Sequence, residues 1–292
     1  MFNFRNKYND LSTMVEAWLA EEVPTLSAVS GIADACSYAL LSGGKRVRPV
    51  LMLAVAELLE IDLRLLKHVA LAAELVHTAS LIHDDLPALD NDDVRRGQPT
   101  VHRKYGESTA ILAGDLLIAK AFSMIARAHQ APDRNRVHWI NDLADATATL
   151  CDGQVLDLKG GNLLMPAANE DGNTALAAKT NSFIAINRMK TGVLFNVAIT
   201  APCSLYEQED RNEVRALLKK YADNVGLLFQ VTDDLLDLVS SEGSEGAPSS
   251  TAASDREYAN LLAENAISAL AHWGERGWFL RAFAEQIRDR ES

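Results

Sequence analysis

The sequence holds little cysteine, little proline and no long apolar run, and each shortage excludes something. Its three cysteines, Cys36, Cys151 and Cys203, are odd in number, widely spaced and form no CxxC pair. That pattern argues against a disulfide framework or a zinc site and fits a reducing cytoplasm. Eight prolines punctuate 292 residues, and residues 100–131 and 203–247 contain none, so long helices can run unbroken. No uninterrupted apolar run reaches the roughly 18 residues of a membrane span, and Met1–Lys7 lacks the apolar segment of a secretory signal. The expectation is a cytoplasmic protein with no stable membrane insertion. Basic residues are also outnumbered, 28 against 40 acidic, for a net charge of -12, which speaks against nucleic-acid binding through a basic face. An anionic small molecule stays possible, because metal ions and local arginines can reverse the field inside a cleft. After Lys220 there is no lysine at all.

What is present reads as helix. Hydrophobic content of 48% and charged content of 23% are those of a soluble globular protein. Val214, Leu217, Leu218, Tyr221, Val225, Leu228, Phe229, Thr232 and Leu236 recur at helical spacing, and no succession of alternating strands is visible. The spacing predicts an all-α bundle with ligand sites between facing helices. Helices are expected over 12–40 with a break near Pro24, and over 50–59, 63–83, 106–129 and 137–158, with another around Asn187–Gly192. Residues 240–255 are rich in Ser and Gly and predict a flexible loop, while the 37 residues after them are too few for a core of their own. Residues 1–292 are therefore read as a single domain.

Chemistry concentrates in two acidic clusters. His83–Gly97 packs Asp84, Asp85, Asp90, Asp92 and Asp93 into ten residues, followed by Arg95 and Arg96, behind the apolar run Leu71–Ile82. Aspartates clustered at the end of a buried helix suggest a metal site at a cavity mouth. Asp84 and Asp90 are six apart, about 120° from sharing a helical face. Pro87 is expected to kink or bulge the helix and let them converge. Asp233 and Asp237 are four apart and share a face directly, so the two clusters could face one another across a gap. Ser42–Pro49 adds a glycine-rich turn with Lys45, Arg46 and Arg48. Its glycine amides, at Gly43 and Gly44, suit a phosphate ester, though a solvated basic turn fits as well. Lys190, beside a mid-helix Thr191-Gly192, fits either a solvated lysine or one aimed into the cavity. Glu74-x-x-His77 matches half of a di-iron carboxylate bundle, but no second pair accompanies it.

Taken together, these elements resemble the trans-isoprenyl diphosphate synthase family, most closely the bacterial geranylgeranyl and farnesyl diphosphate synthases. The likeness rests on Gly43–Pro49, the first aspartate motif with Arg95-Arg96-Gly97, Gly153-Gln154, Lys190-Thr191-Gly192 and Phe229–Asp237, in the family's order. It implies an isoprenoid-synthase-like helical bundle around a central cavity, a homodimer, and a prenyltransferase joining isopentenyl diphosphate to an allylic diphosphate. By the resemblance, Asp84, Asp90 and Asp233, supported by Asp85 and Asp237, hold Mg²⁺, three ions with bound diphosphate. Arg95 and Lys190 stabilise the departing diphosphate, and Thr191 and Gln230 orient dipoles towards the allylic cation. Lys45, Arg48, His77 and Arg96 clamp isopentenyl diphosphate, with Gly44 and Gln154 also in substrate-binding positions.

Product length in such a family depends on what lies beneath the first motif. Ala79, five residues before Asp84, is small where a bulky aromatic often floors the pocket; Ser80 follows it, and Val76 lies one turn deeper. The expected product is geranylgeranyl diphosphate, with farnesyl diphosphate next. The sequence departs from the family after Asp237, where two usual lysines are missing and Arg256 is the candidate substitute. That departure keeps open two other readings: a related ionising enzyme, either a terpene cyclase or an irregular coupling enzyme, and a non-catalytic regulatory subunit of a prenyl synthase.

Overall fold

A computed structural model of the chain describes residues 3–158, 184–241 and 250–290. Among these the architecture is all-α, and the only strands form one two-residue hairpin. The chain divides into two compact units, Arg5–Ala144 and Met1–Phe4 with Asp145–Ser292, the division falling inside one long helix.

In the first unit α1 (Phe4–Glu22) and α2 (Ser30–Leu41) flank a 3-10 turn at Val23–Thr25, where Pro24 breaks the periodicity as expected. Gly43 and Gly44, at φ 88° and 152°, carry the chain out of α2 through a backbone region that disfavours other residues. Arg46, itself left-handed at φ 48°, precedes α3 (Val47–Leu58). α4 (Lys67–Asp84) is apolar nearly all round, and Val69–Val76 are buried without interruption, as a core helix requires. It packs against α6 (Glu107–Ala126), which follows the short α5 (Val101–Tyr105), while α7 (Asp133–Leu158) begins in this unit. Leu63–Asp84 and Glu107–Ala126 are long and apolar enough to cross a membrane by length and composition; 67% of the first is buried inside the protein, as in a core helix.

α4 does not kink at Pro87. It ends at Asp84, since the residue before a proline is driven out of the helical region. Leu86 N–H bonds the His83 carbonyl and Leu89 N–H that of Leu86, so the chain reverses in tight turns. The hairpin follows, β1 (Val94–Arg95) pairing with β2 (Gln98–Pro99) in the register Val94–Pro99 and Arg95–Gln98. Arg96 and Gly97 between them both have positive φ, 54° and 74°, the two-residue turn whose twist matches paired strands.

In the second unit a π-turn at Arg188–Gly192 leads into α8 (Val193–Thr200). α9 (Arg211–Ser241) buries Val214, Leu218, Tyr221, Val225, Leu228 and Thr232 along one face. The Tyr221 hydroxyl donates to the Leu280 carbonyl at 2.7 Å, tying α9 to α11 (Trp278–Arg288). Between them lies α10 (Ser250–Ala269). The loop predicted over 240–255 is therefore corrected: α9 runs through Ser241 and α10 starts at Ser250, so only 242–249 remain, outside the described residues. Serines followed by alanines after Pro248 are as much a helix start as a linker. The polar connection near 159–174 also lies outside the described residues.

Candidate active site

The first aspartate cluster is assembled by backbone geometry. Asp90 N–H donates to the Asp84 carbonyl at 2.8 Å, and Asn91 N–H to that of Leu86 at 3.1 Å. Chain reversal, rather than a bent helix, brings the backbones of Asp84 and Asp90 together. Asp85 turns inward and is buried; its Oδ1 accepts from Arg95 Nε at 2.7 Å and Nη2 at 2.6 Å. Arg95 also reaches Asp92 at 3.4 Å, and the Thr100 hydroxyl donates to the Asp92 carbonyl at 2.9 Å. The segment is thus closed on itself, with Arg95 held beside the aspartates.

Arg96 points the other way. Its Nη1 donates to the Gly43 carbonyl, and a Cβ on Gly44 would lie 2.8 Å from the same nitrogen, so Gly44 is what lets the guanidinium lie against the turn. Lys45, Arg48, Arg96 and His77 belong to one unit. His77 is half-buried on α4, and its pKa falls well below the ordinary 6.5, first through burial and then through the Arg48, Arg96, Arg95 and Arg46 cations around it. It is a neutral imidazole at pH 7, able to donate and accept, rather than a fourth cation. Ala79 and Val76 are buried in the core of α4, and half-buried Ser80 turns its hydroxyl back to the His77 carbonyl at 2.8 Å.

In the second unit the π-turn brings Lys190 and Thr191 to their partners, since its extra residue rotates both relative to a regular helix. Lys190 Nζ pairs with Asp157 on α7. Thr191 Oγ1 donates to Gln230 Oε1 at 2.8 Å, and Gln230 Nε2 donates to Asp234 Oδ1 at 2.9 Å. One hydrogen-bonded line therefore joins the Lys-Thr-Gly segment to the second aspartate cluster. Two glycines permit it: a Cβ on Gly153 would meet Met189 Cβ at 2.9 Å, and one on Gly226 would meet Gly192 Cα at 2.9 Å. Gln154, next to Gly153, keeps a buried amide nitrogen with no hydrogen-bond partner among the described residues. Asp233 Oδ1 accepts from Arg290 Nη1 at 2.6 Å. Asp237 lies in α9, its side chain outside what is described.

The sequence model of the polyprenyl synthetase family matches residues 29–262. The chain belongs to that family. A geranylgeranyl diphosphate synthase of Cyanophora paradoxa is 39% identical over 244 residues, 82% of this chain and 76% of that protein. The farnesyl diphosphate synthase of Escherichia coli (strain K12) is 40% identical over 212 residues, 71% of this chain and 66% of that protein. Among solved structures, a geranyltransferase from Legionella pneumophila superposes with a TM-score of 0.84 at 29% identity, covering 98% of this chain and 97% of that one.

Within this polyprenyl synthetase the carboxylates supply hard oxygen donors of the kind Mg²⁺ takes. Among the described residues no three Asp, Glu, His or Cys side chains gather into a complete metal cage. An ion that shares one or two carboxylates with waters and substrate phosphates needs no such cage, so the donor set fits. Two partners carried no sequence signal: Asp157, which pairs with Lys190, and Arg290, which reaches Asp233 from 57 residues downstream; Glu74, whose spacing to His77 suggested a metal pair, instead pairs with Arg46, 28 residues away.

Proposed function

We propose that the protein is a short-chain prenyl diphosphate synthase that joins isopentenyl diphosphate to an allylic diphosphate, with geranylgeranyl diphosphate its favoured product and farnesyl diphosphate next. The observation that carries this reading is the turn after the apolar helix, where the Asp90 N–H to Asp84 carbonyl bond closes the aspartate-rich segment on itself and Arg95 is fixed to buried Asp85. Asp84 and Asp90 of the first aspartate cluster, and Asp233 of the second, are the residues that would hold Mg²⁺. Mg²⁺ held by these residues would supply charge neutralisation for a diphosphate leaving group.

Arg95 and Lys190 add fixed positive charge where negative charge develops on the departing diphosphate. Thr191 and Gln230, locked to each other, present oxygen dipoles to the allylic cation. Lys45, Arg48 and Arg96, with neutral His77, hold the diphosphate of isopentenyl diphosphate. Its terminal double bond attacks the cation, a carbon-carbon bond forms, and a proton leaves to the released diphosphate, giving a chain longer by five carbons. Buried Ala79 and Val76 leave room for a longer product than a bulky residue would. The exposed apolar side chains Ile111 and Leu112 on α6 and Val137 on α7, 46%, 57% and 59% accessible, support a homodimer. The three free cysteines support a cytoplasmic location, and a family match spanning both units supports one functional domain.

Replacing Asp84 or Asp233 by Ala tests the reading directly. Each variant is expected to keep its helical circular-dichroism spectrum and lose turnover of isopentenyl diphosphate by about a hundredfold or more. Turnover within a few-fold of the parent in both would remove these carboxylates from the metal site.

A further inference from the structure

Arg46 sits between Lys45 and Arg48 but has no place in the substrate clamp. Its side chain is 0% exposed and that of Glu74 3%. Nε donates to Glu16 Oε1 on α1 at 2.6 Å, Nη1 to Glu74 Oε1 on α4 at 2.9 Å, and Nη2 to the Leu40 carbonyl on α2. One guanidinium thus ties three helices to the turn. Glu74 lies three residues before His77 on α4, and the Tyr8 hydroxyl donates to the Lys45 carbonyl from α1. Burial, with the Glu74 charge, raises the Tyr8 pKa, so the phenol stays protonated and keeps donating.

A buried ion pair is a poor source of stability, since desolvating both charges offsets most of their attraction, and well-packed apolar side chains often do as well. Geometry is what this pair supplies. Arg46 is held at φ 48°, a left-handed backbone that an ordinary residue avoids, and that conformation sends Lys45 and the first turn of α3, with Arg48, in fixed directions. We propose that Arg46 and Glu74 are positioning residues for isopentenyl diphosphate: together they register the Gly43–Arg48 turn against His77, so that Lys45, Arg48 and His77 meet one diphosphate at once. The inference rests on the functional reading above. It accounts for Glu74 without a second metal, as the counter-ion that sets the turn.

The test is calorimetric titration of isopentenyl diphosphate, with steady-state KM for each substrate, on the parent, on Glu74→Gln, on the double variant Arg46→Met with Glu74→Met, and on Tyr8→Phe. In the double variant the fold is expected to survive, with affinity for isopentenyl diphosphate down about tenfold or more while kcat and the allylic KM stay within about threefold. Glu74→Gln is expected to shift in the same direction. Tyr8→Phe, which leaves the ion pair intact, is expected to raise the isopentenyl KM alone by a smaller factor. Unchanged affinity in the folded double variant, or in Tyr8→Phe should the double variant not fold, overturns the inference, as does an equal loss for both substrates. A parent protein that binds no isopentenyl diphosphate overturns the functional reading and this inference with it.

Discussion

Burial first, and the charges of four arginines second, hold His77 as the neutral ring, and this carries a cost in acid. Its folded-state pKa lies well below the unfolded 6.5. Between those two values the unfolded chain binds a proton that the folded chain does not, so stability starts to fall below about pH 6.5 and goes on falling until the folded-state pKa is reached. Urea midpoints measured between about pH 7.5 and pH 5 should therefore drop more steeply for the parent than for His77→Gln. Parallel slopes would show that His77 is not held neutral. The same neighbourhood shows what a sequence can disclose at this scale. Lys45 and Arg48 were legible because they share a glycine-rich turn suited to phosphate, whereas the clamp roles of His77 and Arg96, distant in the chain, are what the family resemblance implies. Glu74 was misleading: an acid three residues from a histidine looks like half of a metal pair, whereas its partner is Arg46, brought in by packing between helices. Arg290 beside Asp233 carried no local pattern at all.

Among the departures from regular helix, two lie at the residues of the proposed chemistry. One is the end of α4. Pro87 indicated a disruption, correctly located, but a kinked helix and a terminated one follow from the same residue; the Asp90-to-Asp84 bond decides for termination. The π-turn at Arg188–Gly192 had no sequence signature beyond the Lys-Thr-Gly motif, because its extra residue is stabilised by neighbours on α7 and α9. Gly226 is the most sensitive of those neighbours. A Cβ there meets backbone, Gly192 Cα at 2.9 Å, which cannot rotate aside. Gly226→Ala is expected to destabilise the protein by about 1–3 kcal/mol and to slow turnover by loosening the Thr191–Gln230 bond. An unaltered melting temperature with full activity would show that α9 and the π-turn have slack between them. Composition misjudged 240–255 for a related reason: serine and alanine do not distinguish a linker from a helix start until the helix is seen to begin, at Ser250.

For the molecule as a whole, a nearly proline-free, helix-periodic sequence left little choice but an all-α architecture, and the buried faces of α4 and α9 follow the predicted periodicity. The catalytic reading adds one consequence that spans the chain. If α4 floors the product cavity, Ala79→Tyr should shorten the major product by at least one five-carbon unit without loss of the aspartate-dependent turnover, as judged by product mass. An unchanged length would place the floor elsewhere. The most direct measurement is incubation of the purified protein with isopentenyl diphosphate and, separately, C5, C10 and C15 allylic diphosphates, with Mg²⁺ or with chelator, and identification of every product by mass. The account predicts a Mg²⁺-dependent C20 diphosphate that disappears with chelator. Failure to consume isopentenyl diphosphate would contradict it: a released hydrocarbon or alcohol would indicate an ionising relative, and no product at all a subunit that awaits an active partner.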